Sequence, residues 1–408
     1  MTKSDSRQIA ILGAGPVGLE AALYARQLGY SVTVYERGKI AEHVQRWSHV
    51  RLFSPFGMNT TALGRKVLSG HSLPAESDCI TGGEHRSAYL EPLAKCDLLK
   101  GCIQTDTRVL TIGRSGYLKT DPPGEPNRSK SPFRLLIRQE KSERVDEADV
   151  VLDCTGTFSK HRWLGDGGIP AIGELAAEPS IPYGLEDVLG TRKDHYAGKS
   201  ILVVGGGYSA ATTVCALATL AEKHLDTWVV WLARTHRTQP LPRISNDPLK
   251  ERDRLAVRAN TLATRGDGNV EFHPQSLIHA VEKVNESFKV RAVVAGQERT
   301  FEVDRLIANV GYQPDVDLYR ELQIHECYAS QGPMALAASL AKQSGSDCLA
   351  ISSGGTSTMR NPEPNFYILG AKSYGRNSHF LLRAGFEQVR DVMALITGKQ
   401  SLDLYKER

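Results

Sequence analysis

Residues 8–37 read QIAILGAGPVGLEAALYARQLGYSVTVYER, and this stretch decides the fold. It begins with an apolar run, Ile9 to Leu12, which has the length of a buried parallel strand. Gly13, Gly15 and Gly18 follow at once in a G-x-G-x-x-G spacing. An alanine-rich segment comes next, with side chains small enough for a helix that lies close on strands. The order predicts a strand, a phosphate-binding turn and a helix.

Each glycine has a separate physical task. Gly13 allows the tight turn out of the strand, Gly15 lets a pyrophosphate approach the backbone, and Gly18 lets the helix pack closely on the sheet. A second strand, Ser31 to Tyr35, ends at Glu36. A carboxylate at this distance from the glycines can accept hydrogen bonds from ribose hydroxyls. We therefore predict a dinucleotide-binding unit.

Composition excludes several classes of protein. A chain of 408 residues with 41% apolar content should form about two to three domains with real cores. A formal charge of +4 indicates neither a nucleic-acid partner nor a membrane surface. The N-terminus lacks the apolar core of a signal peptide, and three glycines interrupt the longest apolar region. The seven cysteines form no C-x-x-C, which suits reduced thiols in the cytoplasm, and the histidine spacing predicts no metal.

A second stretch, Lys199 to Arg237, repeats the design. An apolar strand leads into Gly205, Gly207 and Ala210, a G-x-G-x-x-A spacing, and an alanine-rich helix follows. The next strand, Trp228 to Leu232, resembles the one that ends at the acid of the first unit. The pattern predicts a second dinucleotide-binding unit.

The two units differ after their second strand. Glu36 stands there in the first unit, whereas Ala233 and Arg234 stand there in the second, with Arg237 close behind. A carboxylate would repel a 2′-phosphate, but an arginine can bind it through two charge-assisted hydrogen bonds. The second unit therefore favours NADPH. A solvated basic turn remains the alternative interpretation of these arginines.

Each unit is closed by an apolar strand that runs into a glycine turn. EADVVLDCTGTF leads to Thr155 and Gly156, and VDRLIANVGYQPD leads to Gly311. Two such units in one chain resemble the two-dinucleotide-binding-domain flavoproteins of the glutathione reductase superfamily. Within it the chain is most similar to the flavin-containing and Baeyer–Villiger-type monooxygenases.

The resemblance implies an α/β fold with two Rossmann-like domains, one for FAD and one for NADPH. The FAD domain would comprise 1–160 and 305–408, and the NADPH domain, 161–304, would be inserted into it. The family motifs place cofactor contacts at the following positions: Gly13, Gly15, Pro16, Gly18, Glu36, Arg37, Thr155, Gly156, Gly205, Gly207, Ser209, Ala210, Arg234, Arg237, Gly311, Gly370 and His379.

The C-terminal segment resembles the flavin segment of the family. It has a strand, Phe366 to Leu369, a turn at Gly370 and a helix predicted from about His379 to Leu395. In the family this helix points its N-terminus at the flavin, where its positive end stabilises negative charge. One departure is clear, because Ala371 and Lys372 follow the glycine where relatives carry an acid for the FAD ribitol. The monooxygenase fingerprint F-x-G-x-x-x-H is also absent.

The positions of the cysteines argue against the disulfide reductases of this superfamily. Residues 38–64 contain no cysteine, Cys215 stands alone in the second unit, and Val17 occupies the position where bacillithiol disulfide reductases carry a thiol. Elimination favours oxygen as the acceptor, in a monooxygenase that acts through a C4a-(hydro)peroxyflavin on a small organic substrate.

Such a reaction needs positioning donors near the flavin. We expect Arg51 and Asn59, in the aromatic segment His43–Gly64, and Gln388, with the amides near His379, to supply them. Simple cofactor or core packing is the alternative for each.

Two other functions stay open. One is an NADPH-dependent flavin reductase or oxidase that passes electrons to a quinone, a protein or oxygen, and the other is a non-catalytic FAD-binding redox sensor. The substrate cannot be inferred from the sequence. A homodimer is left open, because the helix Phe380–Ile396 carries enough apolar surface for a core or an interface.

Overall fold

The computed structural model describes residues 7–265, 268–342, 349 and 354–406. The chain divides into two compact units. The first unit comprises Met1–Ser48, Pro55–Lys160 and Gln313–Arg408, and the second comprises His49–Ser54 and His161–Tyr312. The second unit is thus inserted into the first. It extends beyond the predicted boundary at 304, because the strand that follows this boundary pairs with its sheet.

The strands of the described residues are β1 Gln8–Leu12, β2 Ser31–Tyr35, β3 Ile103–Gln104, β4 Thr107–Arg114, β5 Phe133–Gln139, β6 Ser142–Ala148, β7 Val150–Asp153, β8 Ser200–Val204, β9 Trp228–Leu232, β10 Val270–His273, β11 Ser276–Val284, β12 Ser287–Val294, β13 Gln297–Val303, β14 Arg305–Ala308 and β15 Phe366–Ile368. The α-helices are α1 Pro16–Gln27, α2 Glu42–Arg46, α3 Ala62–Val67, α4 Gly82–His85, α5 Glu91–Ala94, α6 Glu174–Ala177, α7 Lys193–Tyr196, α8 Tyr208–Ala221, α9 Lys250–Thr264, α10 Met334–Lys342 and α11 Leu382–Thr397.

The two units share one strand plan. The first has a parallel sheet in the order β15-β7-β1-β2-β3, and the second has a parallel sheet in the order β10-β9-β8-β14. In each, the strand before the glycine turn pairs with the closing strand on one side and the second strand on the other. Each also carries an antiparallel three-stranded sheet, β4-β5-β6 or β11-β12-β13, just before its closing strand. This confirms the predicted α/β class with two Rossmann-like domains.

Burial explains why these strands form where they do. All residues of β7 are buried, as are four of the five in β1 and in β8. Continuous apolar runs are typical of parallel strands, which are covered on both faces. The antiparallel strand β5 instead buries Phe133, Leu135 and Ile137, while Arg134 is exposed and Leu136 is half-buried, which is the alternation of a sheet with one covered face.

The segment after Glu36 contains two short helices, α2 and α3, although its sequence shows too little hydrophobic periodicity to indicate either. Thr61 caps α3 by accepting a hydrogen bond from the Gly64 amide at 2.9 Å. A helix of five or six residues is too short to show a hydrophobic period. A cap and local packing are enough to form it.

The apolar face of α11 lies in the core of the first unit. Val389, Val392 and Met393 are fully buried there, in the cluster that also contains α1 residues such as Leu19 and Leu23. This face is therefore used for the core, and it is not the exposed apolar surface on which a dimer interface was considered.

Candidate functional site

The first glycine turn leaves space where a ligand would need it. Gly13 adopts φ +94°, and an added Cβ would lie 2.9 Å from the Cys154 carbonyl oxygen. A Cβ on Gly18 would lie only 1.9 Å from the Gly13 oxygen, so helix α1 packs as closely as we predicted. A Cβ on Gly15, in contrast, would meet nothing within 4 Å. The turn therefore has no room for a side chain at Gly13 or Gly18, but it has free space at Gly15.

The open side also carries the electrostatics of an anion site. Gly15 is the N-cap of α1, Pro16 starts the helix, and the first turn has neither an acidic residue nor a side-chain cap. The unpaired N–H groups and the positive end of the helix dipole favour a phosphate there. Glu36 lies beside the turn, where its carboxylate accepts hydrogen bonds from the amides of Ala14 at 2.8 Å and Gly38 at 3.0 Å.

Arg37 extends from the same strand end. It is exposed, and its Nη2 lies 2.9 Å from Nε2 of His43. Burial of the imidazole, helped by the charges of Arg37 and Arg46, lowers the pKa of His43 to about 4. The histidine is therefore neutral at pH 7 and accepts a hydrogen bond from the guanidinium.

A buried ion pair joins two loops of the first unit at the carboxyl edge of its sheet. Asp153 ends β7 and accepts hydrogen bonds from the Thr155 amide at 3.1 Å and hydroxyl at 2.6 Å. Lys372 follows the turn at Gly370, and its Nζ lies 2.6 Å from the Asp153 carboxylate and 3.1 Å from the Thr155 hydroxyl. The ammonium group also lies 4.9 Å from the ring centre of Tyr319. Lys372 therefore holds the two turns together.

The sequence marked Lys372 only as a departure from the family pattern. Its partner could not be identified, because Asp153 is 219 positions away in the chain. The sequence offered two signals: a lysine two residues after a glycine turn, and an aspartate at the end of an apolar strand.

The role that we expected for Gln388 is corrected. Its side chain is fully buried, its Oε1 accepts from the Gly370 amide at 2.8 Å, and its Nε2 donates to the Ser373 hydroxyl at 2.8 Å. It therefore fixes the turn from behind and does not present a donor to a substrate. The predicted start of the C-terminal helix is also wrong, because α11 begins at Leu382. The His379 amide lies outside it and donates to Asn377 Oδ1 at 2.9 Å.

Asn59 and Arg51 belong to different units. Asn59 lies in the first unit, is buried, and donates from Nδ2 to the Pro55 carbonyl at 3.1 Å. Its own carbonyl oxygen lies 3.0 Å from Nε2 of His85. Burial lowers the pKa of His85 to about 4, so this ring is neutral and donates from Nε2. Arg51 lies in the second unit and is exposed.

Glu20 is a buried acid that sequence reasoning missed. It lies in α1 within an otherwise apolar run from Val17 to Ala25, and it is only 1% exposed. The Thr61 hydroxyl donates to its Oε1 at 2.8 Å, and the Tyr89 hydroxyl lies 3.5 Å from Oε2. Burial raises the pKa of Glu20 to about 7, although these hydrogen bonds lower it. The sequence offered one signal, a carboxylate inside a helical run that is otherwise apolar.

The second glycine turn has the same geometry as the first. The Gly205 amide donates to the Leu232 carbonyl at 2.9 Å, as the Gly13 amide does to the second strand of its own sheet. A Cβ on Gly205 would lie 2.4 Å from the Asn309 oxygen and 3.2 Å from the Ala210 Cβ. A Cβ on Gly207 would meet nothing within 4 Å. This turn is again closed by the neighbouring strand and open at its middle glycine.

Helix α8 begins at this open position. Gly207 is its N-cap, Ser209 is exposed in its first turn, and that turn contains no acid. The glycines of the closing turns are open as well, since a Cβ on Gly156 or Gly311 would meet nothing within 4 Å. Both have positive φ, +69° and +87°, which L side chains adopt reluctantly.

Arg234 and Arg237 follow β9 as the sequence indicated. Both are exposed, and His236 between them is exposed too. Among the residues that the structure describes, neither arginine forms an ion pair. Their guanidinium groups are therefore available to an anion.

Comparison with known proteins agrees with this geometry. Residues 127–332, roughly half of the chain, match the family described as pyridine nucleotide-disulphide oxidoreductase. Residues 8–42 match a second family of the same description. The chain belongs to the pyridine nucleotide-disulphide oxidoreductases. As the resemblance predicted, it is a two-domain flavoprotein of this group.

The individual proteins that this chain resembles include monooxygenases and a disulfide reductase. Flavin-containing monooxygenase FMO GS-OX-like 4 of Arabidopsis thaliana is 26% identical over 188 residues, which are 40% of this chain and 40% of that protein. The chain thus matches two fifths of the length of this curated relative. The bacillithiol disulfide reductase of Bacillus cereus has a TM-score of 0.70 at 16% identity, covering 97% of this chain and all of that one. The cadaverine monooxygenase of Erwinia amylovora has a TM-score of 0.66 at 14% identity, covering 99% and 97%.

These structural neighbours show the fold alone, and they include both reductases and monooxygenases. Membership of the pyridine nucleotide-disulphide oxidoreductases supports FAD and a nicotinamide nucleotide as cofactors. The open glycine turns with helix N-termini behind them fit the pyrophosphates of both groups.

Two thiols of the nucleotide-binding units, Cys154 and Cys215, are poorly disposed for disulfide exchange. Cys154 lies next to the first turn, but burial raises the pKa of its thiol well above the ordinary value. Burial likewise raises the pKa of Cys215 to about 11. A thiol attacks a disulfide only as the thiolate, so neither group is activated at pH 7. Val17, in the first turn of α1, packs against the positions of Gly370 and Gly385.

Over the described ranges, no helix combines the length and the apolarity needed to cross a membrane. The same residues contain no group of three or more histidine, cysteine, aspartate or glutamate side chains that could hold a metal ion.

Proposed function

We propose that this oxidoreductase is an NADPH-dependent flavoprotein monooxygenase that acts on a small organic substrate. The observation that carries the proposal is Val17. A bacillithiol disulfide reductase would carry a thiol at that position, and here a branched apolar side chain packs against the C-terminal glycine turn. Cys154 is protonated at neutral pH and cannot substitute for it.

The partial match to a flavin-containing monooxygenase supports the same branch. Oxygen is then the acceptor that needs no protein nucleophile.

NADPH is proposed from the residues after β9. Arg234 and Arg237 are exposed and available, and the carboxylate that would bind a ribose 2′-hydroxyl in an NADH site is missing at this position. An arginine binds a phosphate through paired N–H groups, which makes it well suited to a 2′-phosphate.

The first unit would hold FAD. Gly13, Gly15 and the N-terminus of α1 would contact the pyrophosphate, Glu36 would accept from ribose hydroxyls, and the turn at Gly370 would face the flavin end. FAD held there would supply the redox chemistry that links NADPH to oxygen, which the side chains cannot supply themselves. The protein's part is positioning: Gln388 and Lys372 fix the C-terminal turn, and His85 fixes the Asn59 carbonyl through a neutral ring.

The experiment that tests this proposal follows NADPH and oxygen consumption by the FAD-loaded enzyme. We expect faster reduction by NADPH than by NADH, and oxidation of the enzyme by oxygen. A screen of small amines, sulfides and ketones should reveal a substrate that yields one oxygenated product per NADPH. Arg234→Gln should lower the preference for NADPH, whereas Arg291→Gln, an exposed arginine of β12, should not.

The other functions predict different results. Steady NADPH consumption with no oxygenated product, and transfer to a quinone or to oxygen alone, would indicate a reductase or an oxidase. Binding of FAD without reduction by either nucleotide would indicate a sensor. Loss of turnover after alkylation of the reduced enzyme's cysteines would contradict the argument from Val17 and favour a thiol reductase.

A further inference from the structure

A short segment, His49–Ser54, lies in the second unit although the chain on both sides of it belongs to the first. We call this segment the strap. It begins directly after Ser48 and ends directly before Pro55, both of which are first-unit residues. The strap belongs to the second unit because of its packing. By sequence alone it would be placed with the first unit, whose residues flank it on both sides.

The strap lies at the start of the nucleotide-binding helix of the second unit. The ring of Phe53 lies 5.7 Å from the ring of Tyr208, centre to centre, and Tyr208 is the first residue of α8. At its other end lies Asp187: burial raises the pKa of this carboxyl, but hydrogen bonds from Thr191 and the charge of His49 bring it below its ordinary value. The strap therefore runs between Asp187 and the N-terminus of α8.

Arg51 is the charged residue in the middle of the strap. It is exposed and forms a β-bridge, so the backbone is extended there. The chain bends at Phe53, and the Cα atoms of Arg51 and Phe53 are at most about 7 Å apart. An arginine side chain has a similar length, so the guanidinium can reach the first turn of α8.

The helix end within reach of Arg51 is built for an anion. Gly207 is open, and the first turn of α8 has no acid and no side-chain cap. The strap, HVRLFS, contains no carboxylate either. A dinucleotide pyrophosphate on this turn would meet helix N–H groups from one side and a guanidinium from the other.

We propose that Arg51 binds the pyrophosphate of the nicotinamide nucleotide, and that Phe53 anchors the strap on α8 for this purpose. The assignment rests on the proposed function, because it requires a nicotinamide nucleotide in the second unit. It differs from the positioning role near the flavin that the sequence indicated for Arg51.

The test measures binding instead of turnover. NADP⁺ and NAD⁺ are titrated separately into the oxidised, FAD-loaded protein, and dissociation constants are measured by calorimetry. Because the pyrophosphate is common to both nucleotides, Arg51→Gln should weaken both by the same factor, about tenfold to a hundredfold for a charge-assisted contact. Arg234→Gln should weaken NADP⁺ alone. Phe53→Ala should reproduce the loss, Phe53→Tyr should retain most of the affinity, and Arg291→Gln should change neither nucleotide.

Each other outcome is decisive. Unchanged affinities in Arg51→Gln, with normal binding by the wild type, would refute the role of Arg51 and leave the proposed function standing. Weakening of NADP⁺ alone would assign Arg51 to the 2′-phosphate and refute the pyrophosphate contact. A wild-type protein that binds neither nucleotide would refute the proposed function, and this assignment with it.

Discussion

At the scale of single residues, the glycines of the two turns divide into two kinds. Gly13, Gly18 and Gly205 are closed in by backbone oxygens, so a methyl group would clash with the protein itself. Gly15 and Gly207 face open space, so the protein gives no reason for a glycine there. A ligand that approaches the backbone supplies the reason.

This difference can be tested with alanine. Gly15→Ala should leave the melting temperature of the FAD-free protein nearly unchanged and should weaken FAD binding, because the methyl group would occupy the space of the pyrophosphate. Gly18→Ala should lower the melting temperature itself, because its Cβ would lie 1.9 Å from a carbonyl oxygen. Thermal unfolding without FAD, followed by FAD titration, measures both. Equal destabilisation by the two variants would contradict this explanation.

The buried ion pair gives a second prediction. Lys372→Met leaves the Asp153 carboxylate buried without its counter-charge, which we expect to lower the free energy of unfolding by about 3–5 kcal/mol. Arg138→Met breaks an ion pair whose side chains are about half exposed, and it should cost at most about 1 kcal/mol. Urea titration of both variants makes the comparison. Adding Asp153→Asn to Lys372→Met should recover part of the loss, and no recovery would show that the cost lies elsewhere.

At the scale of elements, helix α1 carries both the anion site and a buried acid. Glu20 is hydrogen bonded to Thr61, the residue that caps α3. A side-chain hydrogen bond thus joins α1, the helix that would bind FAD, to the N-terminus of α3.

The titration of Glu20 should be visible in stability. Its pKa is raised to about 7 from an ordinary 4.5, so the folded protein holds the proton more tightly than the unfolded chain. This contribution is complete below pH 4.5 and is lost as the pH rises to about 7, a decline of about 3 kcal/mol. Glu20→Gln should not show this decline, so it should gain stability relative to the wild type between pH 5 and 8. Urea unfolding across that range measures it.

A matched control for this titration is Glu143→Gln, which removes an exposed carboxyl on β6. It should follow the wild-type pH dependence. Parallel curves for wild type and Glu20→Gln would show that Glu20 does not titrate in this range.

The junction between the C-terminal turn and α11 depends on one side chain. Gln388→Met should leave the Gly370 amide buried without an acceptor and lower the free energy of unfolding by about 1–3 kcal/mol. It should also weaken FAD binding, because the turn would no longer be fixed. Arg383→Gln, an exposed change on the same helix, should affect neither quantity. Denaturant unfolding and FAD titration test the two effects, and normal FAD affinity in Gln388→Met would assign it to stability alone.

At the scale of the whole molecule, the chain is built from one strand plan used twice. The two units differ in the residue after their second strand and in the fifth strand, β15, which the first unit adds. Two ligands should therefore act on two separate regions of the chain.

Hydrogen exchange can test that separation. FAD should slow amide exchange in residues 8–38 and 366–374, and NADP⁺ should slow it in residues 200–212 and 49–54, because each ligand stabilises the unit that binds it. The hairpin of β12 and β13 lies in the second unit and provides an internal control that FAD should not protect. Protection of the first glycine turn by NADP⁺ would contradict the division of the two sites.

The sequence by itself determined the two glycine turns, the strands around them, the contrast of Glu36 with Arg234, and the family. These features are local, because a G-x-G-x-x-G spacing acts through residues that are neighbours in the chain. Only the tertiary structure decided the partner of Lys372, the buried position of Gln388, the acid at Glu20 and the transfer of the strap to the second unit. Each of these depends on contacts between segments far apart in sequence, and no local pattern records which segments will meet.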